Sequence, residues 1–479
     1  GHTGLGHAAA RAFLDTLAVA MPGAKEDSAR LARTWALTAA GAPKDDGAAG
    51  ALGTSAREWA TGRALPVAEA AFANGVAAHA LDFDDVSMSM SGHPSALLVP
   101  VTLAVAESAG ASVGQLLEAY VTGLHVNVAV AAGFDLMEHY ARGWHASVTV
   151  GTLGAVAAAA RLLGLDARQA AHAIGLGVSM ASGTRQNFGT MTKALHIGLA
   201  ASSAVRAAQL AALGVDSSAD ALDGPLGYYS LYGQPAGDPA GAVTAALAGP
   251  EGGSLASLSA KRYPCCYQTH RAIDAALDLR DRLGRVTEGG VTEGGATGGG
   301  VTEDAIEEIV VHVNPGSDNS LIHPYAATPT QARFCMRYVV AAALLRGEID
   351  FGSFGPGQVG SADIQALMRR VRLEHAAVPP YEPVVYSLDY AAVSVALRSG
   401  KSLNQTCVAP RGNAERPLSD DELRVKADAC LAEAGLPPAA SELAGVLGAP
   451  ASSAETVIDV LRGPANTGPA STGPARTGS

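Results

Sequence analysis

Runs of Ala, Leu and Val at helical length fill the first half of this 479-residue chain: Ala8 to Val19, Pro66 to Ala80, Ser95 to Ser108, Gln115 to Ala131, Val148 to Leu163 and Ala200 to Leu213. Each run is too long for an ordinary strand and is rich in strong helix formers, so each predicts an α-helix. Their many Ala and Gly residues are small, which predicts helices packed close together. Pro66 suits a first helical turn, where its missing N–H costs nothing. Asp166 with Gln169, just after Gly164, forms a capping-box pattern that ends one helix and starts the next.

The pattern changes after Leu255. Ile309, Val311 and Val313 alternate with their neighbours at a strand-like period, and Val393 to Val408, turning at Ser399-Gly400-Lys401, reads as a hairpin. Gln331 to Leu345 and Ala362 to Val371 read as helices between them. After Pro417, Ser419 with Glu422 caps a helix through Leu431, and Ala-rich helical sequence continues to Leu461. The expected architecture is mainly α: a helical domain formed by 1–260 and the return segment 413–463, with an α+β domain over 261–412. The repeat within 286–303 (VTEGGVTEGGATGGGVTE) and the TGPA-like tail 464–479 lack the apolar content to offset the entropy of ordering.

A hydrophobic share of 48% against 16% charged residues suits a large core and excludes a disordered chain. A net charge of −12, without any Lys/Arg block, argues against nucleic-acid binding. The longest apolar runs are too short to span a membrane. No signal peptide precedes the first helix. The five cysteines form no CxxC and no paired His spacing, so neither a disulfide framework nor a zinc site is indicated, and a reducing, cytoplasmic setting is expected. Gly4-Leu5-Gly6 imitates a dinucleotide fingerprint without the strand that should precede it.

Ionisable residues concentrate in four segments of this apolar chain: HALDFDDVSMSMSGHPS (His79 to Ser95), RGWHAS (Arg142 to Ser147), NFGTMTKALH (Asn187 to His196) and KRYPCCYQTH (Lys261 to His270). Burying such groups is costly unless they are paired or used, so the segments predict a polar active-site pocket. Asp82, Asp84 and Asp85 preceding His93 are compatible with a metal site, helix caps, or an acid/base group with its orienting partner. His145 opens a helix, where it is either structural or a base whose neutral form is favoured. Of the few lysines, Lys193 stands among apolar and small residues. It anchors a bound carboxylate, has a lowered pKa, or caps a helix end. His270 opens a further helix, and Cys265-Cys266 read as packing residues rather than nucleophiles.

Taken together, HALDFDD with HPS, GWHAS with VGTLGA, NFGTMTKALH, and KRYPCCYQTH with the later Ala332-Arg333-Phe334 resemble the MmgE/PrpD family, from about Ala70 to Ser353 and more weakly to Leu431. The resemblance implies a helical domain built from both chain ends, an inserted α+β lid, a homodimer, and a metal-free, cofactor-free active site at the domain interface. It places the family's functional groups on Asp82, His93, His145, Lys193 and His270, with Lys261 as a further substrate-binding candidate. Val86 stands where some relatives carry Thr, and Ala194 where many carry Pro. The activity implied is that of a lyase on a small di- or tricarboxylate. SGHPS and RGWHAS look more like the bacterial dehydratases and epimerases than the animal decarboxylase, which favours dehydration of a 2-methylcitrate-like hydroxy acid. Epimerisation, decarboxylation and a non-catalytic helical dimer with a vestigial pocket are the alternatives.

Overall fold

The computed structural model describes residues 2–39, 55–233, 237–287, 302–383 and 389–462. Every apolar run of the first half is helical: α1 (His2–Gly23), α2 (Asp27–Ala39), α3 (Val67–His79), α4 (Pro94–Ala109), α5 (Val113–Ala131), α6 (Gly151–Leu162), α7 (Ala167–Val178) and α8 (Met191–Ala212). All residues of α3 are buried, as is α4 from Pro94 to Glu107. These two helices are apolar on every side because they lie inside the bundle. Gly4-Leu5-Gly6 lies within α1. Pro66 stands one position earlier than expected, as the N-cap of α3.

Two boundaries depart from the expectation. The helix foreseen from Val148 to Leu163 is divided at Val150, with Ala146–Thr149 as a separate turn before α6. The helix foreseen from Ala200 starts nine residues earlier, at Met191, where the Thr190 side chain accepts from the Thr192 N–H at 3.2 Å. Gly198, a weak helix former, stands inside α8 for a packing reason: a Cβ there would fall 2.6 Å from the Phe72 carbonyl oxygen of α3.

The α+β part carries a four-stranded sheet of β1 (Ile306–Val313), β2 (Val371–His375), β3 (Ala391–Leu397) and β4 (Ser402–Cys407), in the order β2-β1-β3-β4. β1 runs parallel to β2 and antiparallel to β3, with Val311 opposite both Leu373 and Val393. The foreseen hairpin is β3–β4, paired Val395 to Leu403. Helices α9 (His270–Thr287) and α10 (Met336–Arg346) join the sheet in one apolar cluster, with Ile273, Val339, Val311 and Val393 all fully buried. The helix expected from Gln331 is broken: Pro329–Ala332 forms a turn and α10 starts at Met336. The one expected from Ala362 stops at Met368, and Val371 opens β2.

The chain then returns to the first core. α11 (Asp420–Ala434) packs on α1, and with α12 (Ala440–Leu447) and α13 (Glu455–Arg462) it places Leu423, Leu443 and Leu461 in the cluster that holds Ala9 and Phe13. Both foreseen capping boxes are formed, at Asp166/Gln169 and Ser419/Glu422. Most of the 286–303 repeat and the whole 464–479 tail lie outside the described residues. Among the described residues no helix is long and apolar enough to cross a membrane, and all five cysteines are free and buried.

The contact of α5 with α6 yields a stability prediction. A Cβ at Gly154 would meet Asn127 Oδ1 at 2.1 Å and the Gly123 carbonyl oxygen at 2.2 Å, whereas one at Gly445 of α12 would meet nothing. Gly154→Ala should destabilise by about 1–3 kcal/mol through overpacking. Gly445→Ala should stabilise by roughly 0.5–1 kcal/mol through helix propensity. Denaturant midpoints for the two variants read both signs.

Candidate active site

The turn after α3 starts the site. Asp82 adopts a left-handed backbone conformation (φ 53°), uncommon outside glycine, and the three carboxylates of this turn point in three directions. Asp82 Oδ1 accepts from Lys193 Nζ at 3.0 Å and from Lys261 Nζ at 2.9 Å. Asp84 lies 3.0 Å from Nδ1 of both His79 and His93. Asp85 turns toward the start of α4, accepting from the Ser95 N–H at 3.2 Å and from the Ser95 hydroxyl, which also bonds Tyr120 Oη at 2.6 Å. Of the readings open for the acidic run, one carboxylate is an ion-pair partner, one orients imidazoles and one caps a helix.

Lys193 arrives from the first turn of α8, with Nζ 2.8 Å from His79 Nε2 and flanked by the rings of Phe188 and Phe334, centroids 5.4 and 5.2 Å away. It caps no helix C-terminus. Lys261 is fully buried and is brought in by a two-residue ladder that pairs Val86 with Ser259 and Ser87 with Leu258; its Nζ also donates to the Asp82 carbonyl at 2.6 Å. Val86 therefore fills an apolar position in this ladder. His93 is the N-cap of α4, its N–H donating to Ser147 Oγ at 3.1 Å and its Nε2 lying 3.5 Å from Asp82 Oδ1. His145, the N-cap of the turn before α6, sits 6.1 Å from the His79 ring, 4.9 Å from Phe188, and 3.2 Å from His196 through the Nδ1 atoms.

The structure thus joins Asp82, His93, Lys193 and Lys261 directly, with His145 beside them. His270 stands apart. It is wedged between Tyr263 and Tyr267, with Nε2 3.3 Å from the Cys265 carbonyl oxygen, and its buried Nδ1 has no hydrogen-bond partner among the described residues. Three residues of the cluster were given no role of their own by the sequence, His79, Asp84 and His196, Asp84 having been read only as one member of the acidic run. The first two lie within HALDFDD, but their convergence depends on the left-handed turn at Asp82, which no spacing rule announces.

Burial opposes ionisation of Asp82, yet the Lys193 and Lys261 ammonium groups outweigh it and hold the carboxyl far below its usual range. Burial likewise opposes ionisation of Asp84, and the His79 and His93 N–H donors overcome it. Burial, helped by the Lys193 ammonium group, lowers His79 to about 4 against the pull of Asp84. His145 is pushed well below its usual value by burial and then by Lys193, and His270 to about 3 by burial and then by Lys261. These three imidazoles are neutral at pH 7. Burial raises Cys265 to about 12 and Cys266 to about 11, so neither thiol is a ready nucleophile.

Donor atoms of His79, Asp82, Asp84 and His93 lie within 4.8 Å of one another, a spacing that a cation could use. The charge balance disfavours one. The Asp82 oxygen already takes two ammonium groups, and a divalent ion would be repelled by both. A cavity of about 660 Å³ is lined by Arg142, Trp144, Thr184, Arg185 and Ile322, residues of the segments that precede His145 and α8 among them.

Residues 5–238 match the MmgE/PrpD N-terminal domain and residues 263–443 the MmgE/PrpD C-terminal domain. The chain is similar to cis-aconitate decarboxylase of Homo sapiens, 31% identical over 76% of this chain and 72% of that protein, and to that of Mus musculus, 31% identical over 76% and 71%. A cis-aconitate decarboxylase-like protein of Aspergillus oryzae is 24% identical over 74% of each chain.

The buried imidazoles set a pH dependence. His79, His139, His145, His196 and His270 all bind protons less readily when folded than their usual value of 6.5 allows. Below that pH the unfolded chain takes up protons that the folded chain refuses, so stability falls as pH drops from 6.5 toward about 4. Asp85, pushed up to about 7 by burial, acts in the opposite sense, as do Asp15 and Glu107, but the imidazoles are more numerous. Calorimetry should show the melting temperature decreasing between about pH 7 and pH 5. A flat or rising profile over that interval would contradict the neutral buried imidazoles.

Proposed function

The chain belongs to the MmgE/PrpD family, and on that premise we propose that the cluster around Asp82 is the active site of a lyase that forms a carbanion beside a carboxylate of a small di- or tricarboxylate. One observation carries the reading: two ammonium groups and the two neutral imidazoles of His79 and His145 meet in one buried place. Lys193 and Lys261 supply the positive charge that holds substrate carboxylates and stabilises the charge developing on carbon, which a dry, preorganised site does better than water. A neutral imidazole can take the proton, and the imidazolium so formed can deliver it.

Decarboxylation of a cis-aconitate-like substrate is the first form of this proposal, supported by the animal relatives at 31% identity. The carbon–carboxylate bond breaks, its electron pair passes to the substrate carbon, and an imidazolium proton ends on carbon. His93 suits that role. It is the most accessible imidazole in direct contact with the cluster, with 14% of its side chain exposed against none for His79. The second form, dehydration of a 2-methylcitrate-like hydroxy acid, rests on SGHPS and RGWHAS. There a base removes the proton beside a carboxylate, the electrons form the double bond, and the hydroxyl leaves as water with a proton from a second acid. The α+β part over 261–412 acting as a lid, assembly as a homodimer, and a cytoplasmic location complete the proposal.

Incubation with cis-aconitate, 2-methylcitrate, citrate and iminodisuccinate, followed by NMR, separates loss of CO2, loss of water and epimerisation. Turnover of none of them would sink the reading. Lys193→Ala should lower turnover by on the order of 10²–10³-fold while the protein remains folded. Wild-type kinetics in that variant would remove Lys193 from the site. Because the cluster's charge is balanced by its own lysines, turnover should survive exhaustive EDTA treatment. Loss of activity restored by a divalent ion would show the charge argument to be wrong.

A further inference from the structure

Lys193 has three N–H bonds, and two are committed inside the protein. One points at His79 Nε2, 2.8 Å away, and one at Asp82 Oδ1, 3.0 Å away. The Phe188 and Phe334 rings stand on either side of the ammonium group. Among the described residues no third acceptor lies within hydrogen-bond distance, so the orientation of the remaining N–H follows from the first two. Asp82 accepts in any state of its neighbours. His79 does not, because Nε2 can accept from Lys193 only when the imidazole proton sits on Nδ1. Both oxygens of Asp84, itself fully buried, lie 3.0 Å from that Nδ1.

We propose that Asp84 and His79 form a positioning dyad for Lys193, in which Asp84 holds the His79 proton on Nδ1 so that Nε2 aims the lysine's one uncommitted N–H at the substrate carboxylate. In the opposite tautomer two donors would face each other across 2.8 Å and Lys193 would turn out of register. The relation is that of a carboxylate fixing an imidazole tautomer for a third group. It is distinct from the paired carboxylate of Asp82, which would hold Lys193 in either tautomer. Asp84 also touches His93 Nδ1, but that nitrogen has a second acceptor in the Asp85 carbonyl at 3.0 Å, so His93 does not depend on Asp84 alone.

This inference rests on the reading of Lys193 as the group that holds a substrate carboxylate, but the tautomer can be measured without any substrate. Histidine-selective ¹⁵N NMR of the full chain, with His79 assigned through His79→Gln, should show the Nδ1–H form. In Asp84→Asn the amide NH2 can donate to Nδ1, and the signal should shift to the Nε2–H form. Turnover of whichever polycarboxylate the protein converts should then fall on the order of 100-fold, the cost of a small misplacement. His79→Gln keeps an acceptor for Lys193 and should retain more activity than His79→Leu. Adding Asp84→Asn to His79→Gln should cost little further, because the carboxylate acts through the imidazole. An Nε2–H tautomer in the wild type overturns the dyad, even if Asp84→Asn fails to fold. So does an Asp84→Asn penalty of equal size in the wild-type and His79→Gln backgrounds. If no polycarboxylate is turned over, the function reading fails while the tautomer still decides this one.

Discussion

A single carboxylate oxygen, Asp82 Oδ1, takes ammonium groups from Lys193 and Lys261, and much of the molecule is arranged around that meeting. The three residues come from the turn after α3, the first turn of α8 and the segment following the Leu258–Ser259 ladder. Desolvating this many charges is expensive, and removing one member of a buried pair typically costs about 3–5 kcal/mol because the other is left uncompensated. The trio therefore ties distant parts of the chain into one geometry. It also concentrates positive charge where an anionic ligand could be held.

Small residues make that convergence possible. α3 meets α8 across Gly75 and Gly198, where Cβ positions would approach within 3.2 Å of neighbouring backbone. α5 meets α6 across Gly123 and Gly154 in the same manner. Close helix axes bring α8 near enough to the end of α3 for Lys193 to reach both His79 and Asp82. The carboxylates Asp15 and Asp85, both raised by burial, lie behind the site with Lys426 and Tyr120, so the polar interior extends well below the reacting groups.

Much of the architecture was legible in the order of residues. Helix period, capping boxes at Asp166 and Ser419, the β3–β4 hairpin and the return of α11 to the first core follow from local pattern and apolar spacing. The boundaries that shifted did so for tertiary reasons. Gly198 breaks helix propensity in isolation but is required where α8 crosses α3. Val371 ends a helix because β1 offers it a parallel partner. Within the site, residue types beside apolar neighbours marked the acidic run with His93, and His145, Lys193 and His270, while the family resemblance singled out Asp82 and added Lys261; of these His270 lies outside the cluster.

By itself, then, the sequence determined the helical class, the α+β second part, the family and the four segments that bear the chemistry, because periodicity, capping and residue type are local properties. Only the tertiary structure decided which partner each ionisable group has. Three neighbouring aspartates serve three different purposes because Asp82 alone adopts a positive φ. His79 enters the cluster because the turn after α3 folds Asp84 back onto it, and His270 stays among tyrosines because α9 starts inside the second core. Such pairings depend on distances between residues far apart in the chain, and no local pattern encodes them.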